Sequence, residues 1–303
     1  MPSPFPALPL AQRGRMLTVQ HDSECLRGNP WGDPHLRDVR IYLPPGYDPG
    51  WRYPAILILP AFAGTGEGLM ARGLSDVSIT TRIDHLVKDG CPPFVAVLPD
   101  TMTSVGGSQY LDSPGIGAYQ SYVADELPRF VADQASLSGK WGAVGRSSGG
   151  YGALRLAFDR PGFLSAIACH AGDMGFALTY ASDVRDAIRG FQSLGGIDGW
   201  VERFWALNRP SGHHFAAFNM LAMACAYEPD VQQAPYPCRL PFDPESGAVD
   251  LAAFERWGRH DPLNLVEREG GADALKELDL LFLDAGESDE YGLHLSLRRF
   301  VSA

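Results

Sequence analysis

The sequence predicts an α/β fold with a mostly parallel central sheet that helices cover on both faces. Two observations support this prediction. Short apolar segments alternate with segments of helical spacing, and several of the apolar segments have no polar face. A strand without a polar face is typical of a parallel sheet that is buried on both sides. In such sheets, functional residues collect beyond the carboxyl ends of the strands.

The elements follow an irregular beginning. Residues 1–37 are rich in proline, glycine and polar residues, and they predict a lead-in without regular structure. The apolar segments predict strands at Val39–Leu43, Ala55–Leu59, Phe94–Leu98, Trp141–Val144, Leu164–Cys169 and Leu278–Leu283. The periodic segments predict helices at Ile83–Lys88, Gln120–Asp133, Gly149–Phe158 and Tyr291–Val301. Pro128 predicts a kink or a late start in the second of these helices.

One long segment interrupts the alternation. Residues 172–271 contain no clear strand and many aromatic residues, and they are too numerous for a loop without structure of its own. We predict a helical cap here, inserted over the active end of the sheet within a single domain that spans residues 1–303. Most of its aromatic side chains are expected to pack the insertion against the body, and a few to line a substrate pocket.

Composition limits the class of protein. A formal net charge of -11 argues against nucleic acid and anionic membranes as partners, and no apolar stretch approaches the length of a membrane span. The five cysteines lack paired spacing, so we expect no metal site or disulfide framework. The N-terminus does not resemble a signal peptide, so we expect a cytoplasmic location. The sequence leaves homodimerisation open.

The segment Gly145-Arg146-Ser147-Ser148-Gly149 lies between a predicted strand and a predicted helix. A serine hydroxyl that attacks a carbonyl must project from a sharp turn, and small residues two positions before and after it permit that turn. The N-terminus of the following helix would face the developing oxyanion. We therefore expect Ser147 to be the nucleophile of an α/β-hydrolase fold. The alternative is a tight structural turn.

Two backbone N–H groups are expected to form the oxyanion hole. Ser148, directly after the nucleophile, would supply the first. The second would come from the loop 60–66 after an earlier strand, with Phe62 as the better candidate and Ala61 as the alternative.

The catalytic acid should follow a later strand. The strand Leu278–Leu283 leads into a loop rich in carboxylates, and Asp289 at its tip is the best candidate. Asp284 and Glu287 are the alternatives.

Several of these segments together resemble the Putative esterase family of α/β hydrolases, which includes esterase D and the siderophore esterases and is related to antigen 85. The resemblance implies ester hydrolysis by Ser147 with Asp289 as the acid, and no cofactor. In the oxyanion loop, Pro60-Ala61 stands where many members have His-Gly. The matching segments are Tyr42–Tyr47, Phe62–Gly66, Gly106–Tyr110, the Ser147 turn, His170–Asp173 and Gly286–Tyr291.

The catalytic histidine has no obvious place in this sequence. The family's base follows one more strand, whereas His294 is the only histidine after Asp289 and falls within the last predicted helix. His170 ends a strand on the active side and is predicted to line the pocket. Within this sequence, His294 and His170 are the alternative candidates for the base. We therefore expect the final strand and the histidine loop to lie beyond residue 303.

The leading prediction is a serine hydrolase that cleaves a small-molecule carboxylic ester through an acyl-enzyme. Acyl transfer on the same scaffold and ligand binding without catalysis are the alternatives. Asp100, Gln109 and Tyr110 are expected to contribute to substrate binding, because Asp100 ends a strand and the following glycine-rich loop can reach the site.

Overall fold

The computed structural model describes residues 5–6, 8–71 and 77–303. A seven-stranded sheet forms its centre, in the order β1-β2-β4-β3-β9-β10-β11. The strands are β1 (Arg15–Asp22), β2 (Leu36–Leu43), β3 (Tyr53–Leu59), β4 (Val95–Leu98), β5 (Met102–Thr103), β6 (Gly106–Gly107), β7 (Asp112–Ser113), β8 (Gly117–Ala118), β9 (Leu137–Arg146), β10 (Ala166–His170) and β11 (Leu280–Asp284). The pairs β5–β6 and β7–β8 form two small hairpins outside the main sheet.

The prediction of a mostly parallel sheet is confirmed. Strands β4, β3, β9, β10 and β11 run parallel to one another, and β1 and β2 are antiparallel to their neighbours at one edge. The continuous apolar strands β3 and β4 lie in the interior of this order, where both of their faces are covered.

The prediction that residues 1–37 lack regular structure is wrong for β1. This strand pairs along its whole length with β2, from Arg15 opposite Leu43 to Asp22 opposite Leu36. It lies at the sheet edge with no fully buried residue, so its sequence lacks the apolar run that marks the interior strands. Residues 1–4 and 7 of this lead-in lie outside the described residues.

Helices fill the segments between the strands. Pro128 lies in the first turn of α4, directly after a π-helical segment at Tyr122–Glu126. The chain is already helical from Tyr119, so the predicted late start is wrong, and the irregularity before the proline is this π-helical segment. The α-helices are α1 (Gly66–Met70), α2 (Ile79–Lys88), α3 (Tyr119–Ser121), α4 (Leu127–Ala132), α5 (Ser148–Asp159), α6 (Phe176–Thr179), α7 (Val184–Ser193), α8 (Trp200–Trp205), α9 (Gly212–Tyr227), α10 (Leu251–Trp257), α11 (Pro262–Glu267), α12 (Asp273–Lys276) and α13 (Leu293–Ser302). None of the described helices is both long and apolar enough to cross a membrane.

Residues 172–271 contain the helices from α6 to α11, together with two isolated bridges between extended residues. Most of the aromatic residues in this segment are buried and pack on one another, as do Trp200, Phe204 and Phe218. Their burial explains the aromatic composition. The description of the segment as an inserted cap stays a prediction.

Strand β11 is the last strand of the sheet and is unusually exposed. It pairs with β10 on one side, and no other described strand pairs with its second side. Leu280 and Phe282 are 56% and 46% exposed. The expectation that a further strand and a histidine loop lie beyond residue 303 stays a prediction.

Candidate active site

Ser147 lies in the sharp turn between β9 and α5, with φ 55° and ψ -126°. These backbone angles belong to a region that residues other than glycine rarely adopt. Two backbone hydrogen bonds hold the turn. The Ser147 N–H donates to the His170 carbonyl at 2.9 Å, and the Ser147 carbonyl accepts from the Tyr151 N–H at 2.9 Å. The serine side chain is therefore presented by a strained but firmly held backbone.

Gly145 and Gly149 are required by the tightness of this turn. A Cβ on Gly145 would overlap the backbone of Gly149, and a Cβ on Gly149 would overlap the carbonyl oxygen of Leu59 and approach that of Pro60 to 2.8 Å. The end of β3 therefore lies directly against the start of α5. This contact explains why glycine stands two residues before and two residues after the serine.

The backbone strain at Ser147 leads to a stability prediction. Ser147→Gly should be about 1 kcal/mol more stable than Ser147→Ala, because glycine adopts a positive φ at little cost whereas alanine keeps the strain. Urea unfolding of both variants measures the difference. The control is Ser138, an exposed strand residue. There the glycine variant should be less stable than the alanine variant, since glycine weakens a strand. If Ser147→Gly proved less stable than Ser147→Ala, the strain argument would be contradicted.

A cavity of about 440 Å³ opens in front of Ser147. Ser147, Ser148 and Asp173 line its inner wall. The side chains opposite come from the segment 172–271 and from the loop after β11, with Tyr180, Asp183, Asp186, His213 and Tyr291 among them. The predicted nucleophile therefore faces a space large enough for a small molecule.

Asp173 is a hydrogen-bond partner of the Ser147 hydroxyl. Ser147 Oγ donates to Asp173 Oδ1 at 3.3 Å, and Ser148 Oγ donates to Asp173 Oδ2 at 3.1 Å. Burial raises the pKa of the Asp173 carboxyl above its usual range, and the hydrogen bonds that it accepts act against this rise. The chain reaches this position through a turn after β10, in which Ala171 has φ 44° and Gly172 packs against Cys169 and Gly150.

The two predicted oxyanion donors lie at the same cavity. Ser148 is the first residue of α5, so its N–H has no partner within the helix. Phe62 lines the cavity from a turn closed by a 2.8 Å hydrogen bond from Gly64 N–H to the Ala61 carbonyl. Among the described residues, no backbone acceptor is found for the Phe62 N–H. Both residues thus line the cavity, and the role of their N–H groups as oxyanion donors stays a prediction.

The predicted acid and bases lie elsewhere. Asp289 Oδ1 accepts hydrogen bonds from the N–H groups of Tyr291 and Leu293 and thereby holds the chain that enters α13. His170 pairs through Nδ1 with Asp284 Oδ1 at 2.8 Å. Neither His170, Asp289 nor His294 is among the residues that line the Ser147 cavity. Among the three candidate acids, Asp284 is the one with a described hydrogen bond to a histidine.

The remaining predicted binding residues are not among those that line the cavity. Asp100 accepts from Arg37 and from Met102 N–H. Tyr110 is buried and donates to the Pro60 carbonyl at 2.6 Å, so it supports the loop that carries Phe62.

Gln109 is fully buried behind the cavity wall. Its amide nitrogen donates to Asp173 at 3.3 Å and to the Tyr227 hydroxyl at 2.9 Å. It therefore contacts a cavity residue rather than the cavity itself.

Sequence reasoning did not select several of the cavity residues. Asp173 follows a strand at its carboxyl end, and this position could have indicated it. Asp183, Asp186 and His213 lie in the segment 172–271, where nothing in the sequence distinguishes them from surface residues. Within the described part of the chain, no group of three His, Cys, Asp or Glu residues is arranged to hold a metal ion.

Comparisons with known proteins agree with this architecture. The family model described as Putative esterase matches residues 34–290. A ferulic acid esterase superposes with a TM-score of 0.55 at 14% identity, over 96% of this chain and 85% of that chain. The S-formylglutathione hydrolase of Agrobacterium tumefaciens superposes with a TM-score of 0.45 at 17% identity, over 95% of this chain and 91% of that chain. At 14% identity, the superposition on the ferulic acid esterase supports the fold alone.

Comparison with curated protein sequences finds no match. The family model covers most of the chain, including the turn at Ser147 and the oxyanion loop. The predicted family and the predicted enzyme class, a serine hydrolase that acts on carboxylic esters, are confirmed at that level. The chain belongs to the Putative esterase family of α/β hydrolases.

Proposed function

We propose that this protein hydrolyses small carboxylic esters with Ser147 as the nucleophile. The observation that carries the proposal is the strained turn at Ser147, which presents the hydroxyl to a cavity of about 440 Å³ at the N-terminus of α5. A helix N-terminus stabilises negative charge where the tetrahedral oxyanion forms.

The reaction would follow the acyl-enzyme route. Ser147 Oγ bonds to the carbonyl carbon, and the carbonyl oxygen takes the electron pair and binds the N–H groups of Ser148 and Phe62. The C–O bond to the leaving alcohol then breaks, and water releases the acid from the acyl-enzyme. A histidine is expected to carry the proton in both steps.

The origin of that histidine is also a proposal. We propose that it follows residue 303, and the free side of β11 is where a further strand could pair. Esterase activity of residues 1–303 and of a C-terminally extended protein would test this. We expect the longer protein to be at least about 1,000-fold more active, because a serine hydrolase without its base loses several orders of magnitude. Equal activities would contradict it.

Covalent labelling tests the nucleophile directly. Ethyl p-nitrophenyl methylphosphonate should release nitrophenol and add one phosphonyl group to the protein, and peptide mass spectrometry should locate this group on Ser147. A label on another serine would overturn the assignment. Acyl transfer is distinguished from hydrolysis by the products formed when an alcohol is added, because only a transferase yields the new ester.

The charge of the cavity predicts which esters are accepted. Asp183 and Asp186 line it, and no lysine or arginine is among its described lining residues. Arg185 and Arg189 lie within ion-pair distance of Asp186, so, among the described residues, the negative charge without a cation beside it is that of Asp183. Burial, followed by the charge of Asp186, raises the pKa of Asp183. An anionic acyl group would meet this negative field, which at separations of about 6–8 Å costs about 1–2 kcal/mol.

We therefore expect kcat/KM for p-nitrophenyl hemiglutarate to be about 10-fold below that for p-nitrophenyl butyrate. The difference in kcat/KM between the two esters should become smaller at high salt and in Asp183→Asn, because screening and charge removal weaken the same repulsion. Equal rates for the two esters at low salt would show that the carboxylates do not act on the acyl group.

A further inference from the structure

The Asp173 carboxylate collects hydrogen bonds from several separate parts of the chain. Its Oδ2 accepts from Ser148 Oγ at 3.1 Å, from Gln109 Nε2 at 3.3 Å and from the Tyr180 hydroxyl at 3.1 Å. Its Oδ1 accepts from Ser147 Oγ at 3.3 Å. One oxygen is thus held by three donors, and the other faces the proposed nucleophile.

This arrangement carries a cost in stability. Asp173 is 7% exposed, and no cation is among the groups that shift its pKa. A buried carboxylate without a counterion disfavours the ionised form. Because its pKa in the folded protein is raised above the unfolded value, an ionised Asp173 destabilises the fold at neutral pH, and this destabilisation disappears as the pH falls below both pKa values.

The titratable groups that face Asp173 are tyrosines and one thiol. Tyr180 and Tyr227 lie on the insertion side, and Tyr291 lies in the loop before α13. Cys169 of β10 lies beneath it, and burial raises the pKa of this thiol to about 12. All four are neutral near pH 7, so Asp173 is the group expected to change charge in this cluster.

We propose that Asp173 orients the nucleophile: its ionised carboxylate, fixed by Ser148, Gln109 and Tyr180, accepts the Ser147 hydroxyl proton in a hydrogen bond and holds Oγ in position for attack. This inference rests on the proposed role of Ser147. It also means that Tyr180 helps to set the position of the Ser147 hydroxyl through Asp173. A carboxylate retained against its cost in stability is typical of a functional group.

The first test is Asp173→Asn, followed by the rate of phosphonylation of Ser147 by ethyl p-nitrophenyl methylphosphonate at pH 8. We expect the rate constant to fall by about 10- to 100-fold, because the amide is a weaker acceptor than an ionised carboxylate. The Tm should stay unchanged or rise, because the variant loses a buried charge. The Gln109 Oε1 atom has no partner, so a flip of this amide can accommodate the new NH₂ group.

The matched control is Asp261→Asn. Asp261 is also buried with a raised pKa, and it accepts from the N–H groups of Gly175, Phe176 and Leu263 without contacting Ser147. We expect this variant to lower the Tm and to leave the phosphonylation rate unchanged. A lower phosphonylation rate in Asp173→Asn alone, together with a lower Tm in Asp261→Asn alone, would distinguish orientation of Ser147 by Asp173 from a purely structural role.

The second test is Tyr180→Phe, which removes one donor from Oδ2 and leaves Ser147 untouched. The Tyr180 hydrogen bond lowers the pKa of Asp173, so its loss should move the acid limb of the phosphonylation rate to higher pH. This variant still tests the orienting role of Asp173 if Asp173→Asn does not fold. An unchanged limb, or a wild-type rate in Asp173→Asn, overturns the inference. If the wild-type protein with the C-terminal extension is itself not labelled at Ser147, the proposed function fails instead.

Discussion

Ser147→Ala should lower kcat/KM for p-nitrophenyl acetate by about 1,000- to 1,000,000-fold in a protein that carries the histidine base, because the nucleophile and its base act as a unit. The variant keeps the cavity and the N–H groups of Ser148 and Phe62, so only binding and oxyanion stabilisation remain. KM should change little, because the hydroxyl is a small part of the cavity wall. Initial rates at saturating ester, corrected for hydrolysis in buffer, measure the loss.

Ser148→Ala is the matched control for this substitution. Ser148 is adjacent in sequence. Its backbone N–H is a proposed oxyanion donor, and its hydroxyl is one of three donors to Asp173 Oδ2, of which Gln109 and Tyr180 remain in the variant. We expect a loss of less than about 10-fold, since alanine keeps that N–H. If Ser147→Ala retained wild-type activity with freshly purified protein, the hydrolysis would have to proceed through a different nucleophile.

Gly149→Ala should have the second largest effect. The new methyl group would overlap the Leu59 carbonyl oxygen and approach that of Pro60 to 2.8 Å. Both obstacles are backbone atoms, so α5 and the end of β3 must separate. Overpacking of this kind costs about 1–3 kcal/mol. It should also misplace the two proposed oxyanion donors, and the loss of one such donor lowers kcat by about 100- to 1,000-fold.

Gly286→Ala separates this effect from the general cost of replacing glycine. A Cβ on Gly286 would meet no atom within 4 Å, and its backbone does not have a positive φ. This variant should unfold at the wild-type urea concentration and keep its activity. A Gly149→Ala protein with wild-type stability and rate would show that the turn can relax, and that its glycines are not dictated by the packing described above.

The fold could be predicted where burial imposes a pattern on the sequence. The interior strand β3 is apolar throughout because helices cover both of its faces, and α5 is buried along almost its whole length. The edge strand β1 was missed because its partly exposed residues need no apolar run. Its pairing with β2 depends on backbone hydrogen bonds, which every non-proline residue can form, so local sequence carries little sign of it.

The site could be predicted only where it is local. The turn at Ser147 is a five-residue motif whose geometry follows from its glycines, and the sequence therefore indicates it. The environment of Asp173 is assembled from Gln109, Ser148 and Tyr180, which lie far apart in the chain. No spacing rule connects these residues, because only the folded chain brings them together. The same holds for Asp183 and Asp186, which become cavity residues through the placement of their helices.

The contact between Gly149 and the end of β3 has one further consequence. Because the carbonyls of Leu59 and Pro60 lie against α5, the segments that carry the two proposed oxyanion donors are braced against each other before any ligand arrives. In water, dipoles must reorient around a developing negative charge, and this reorientation forms much of the barrier. Here the proposed donor dipoles are aligned when the protein folds, so they need little rearrangement during the chemical step.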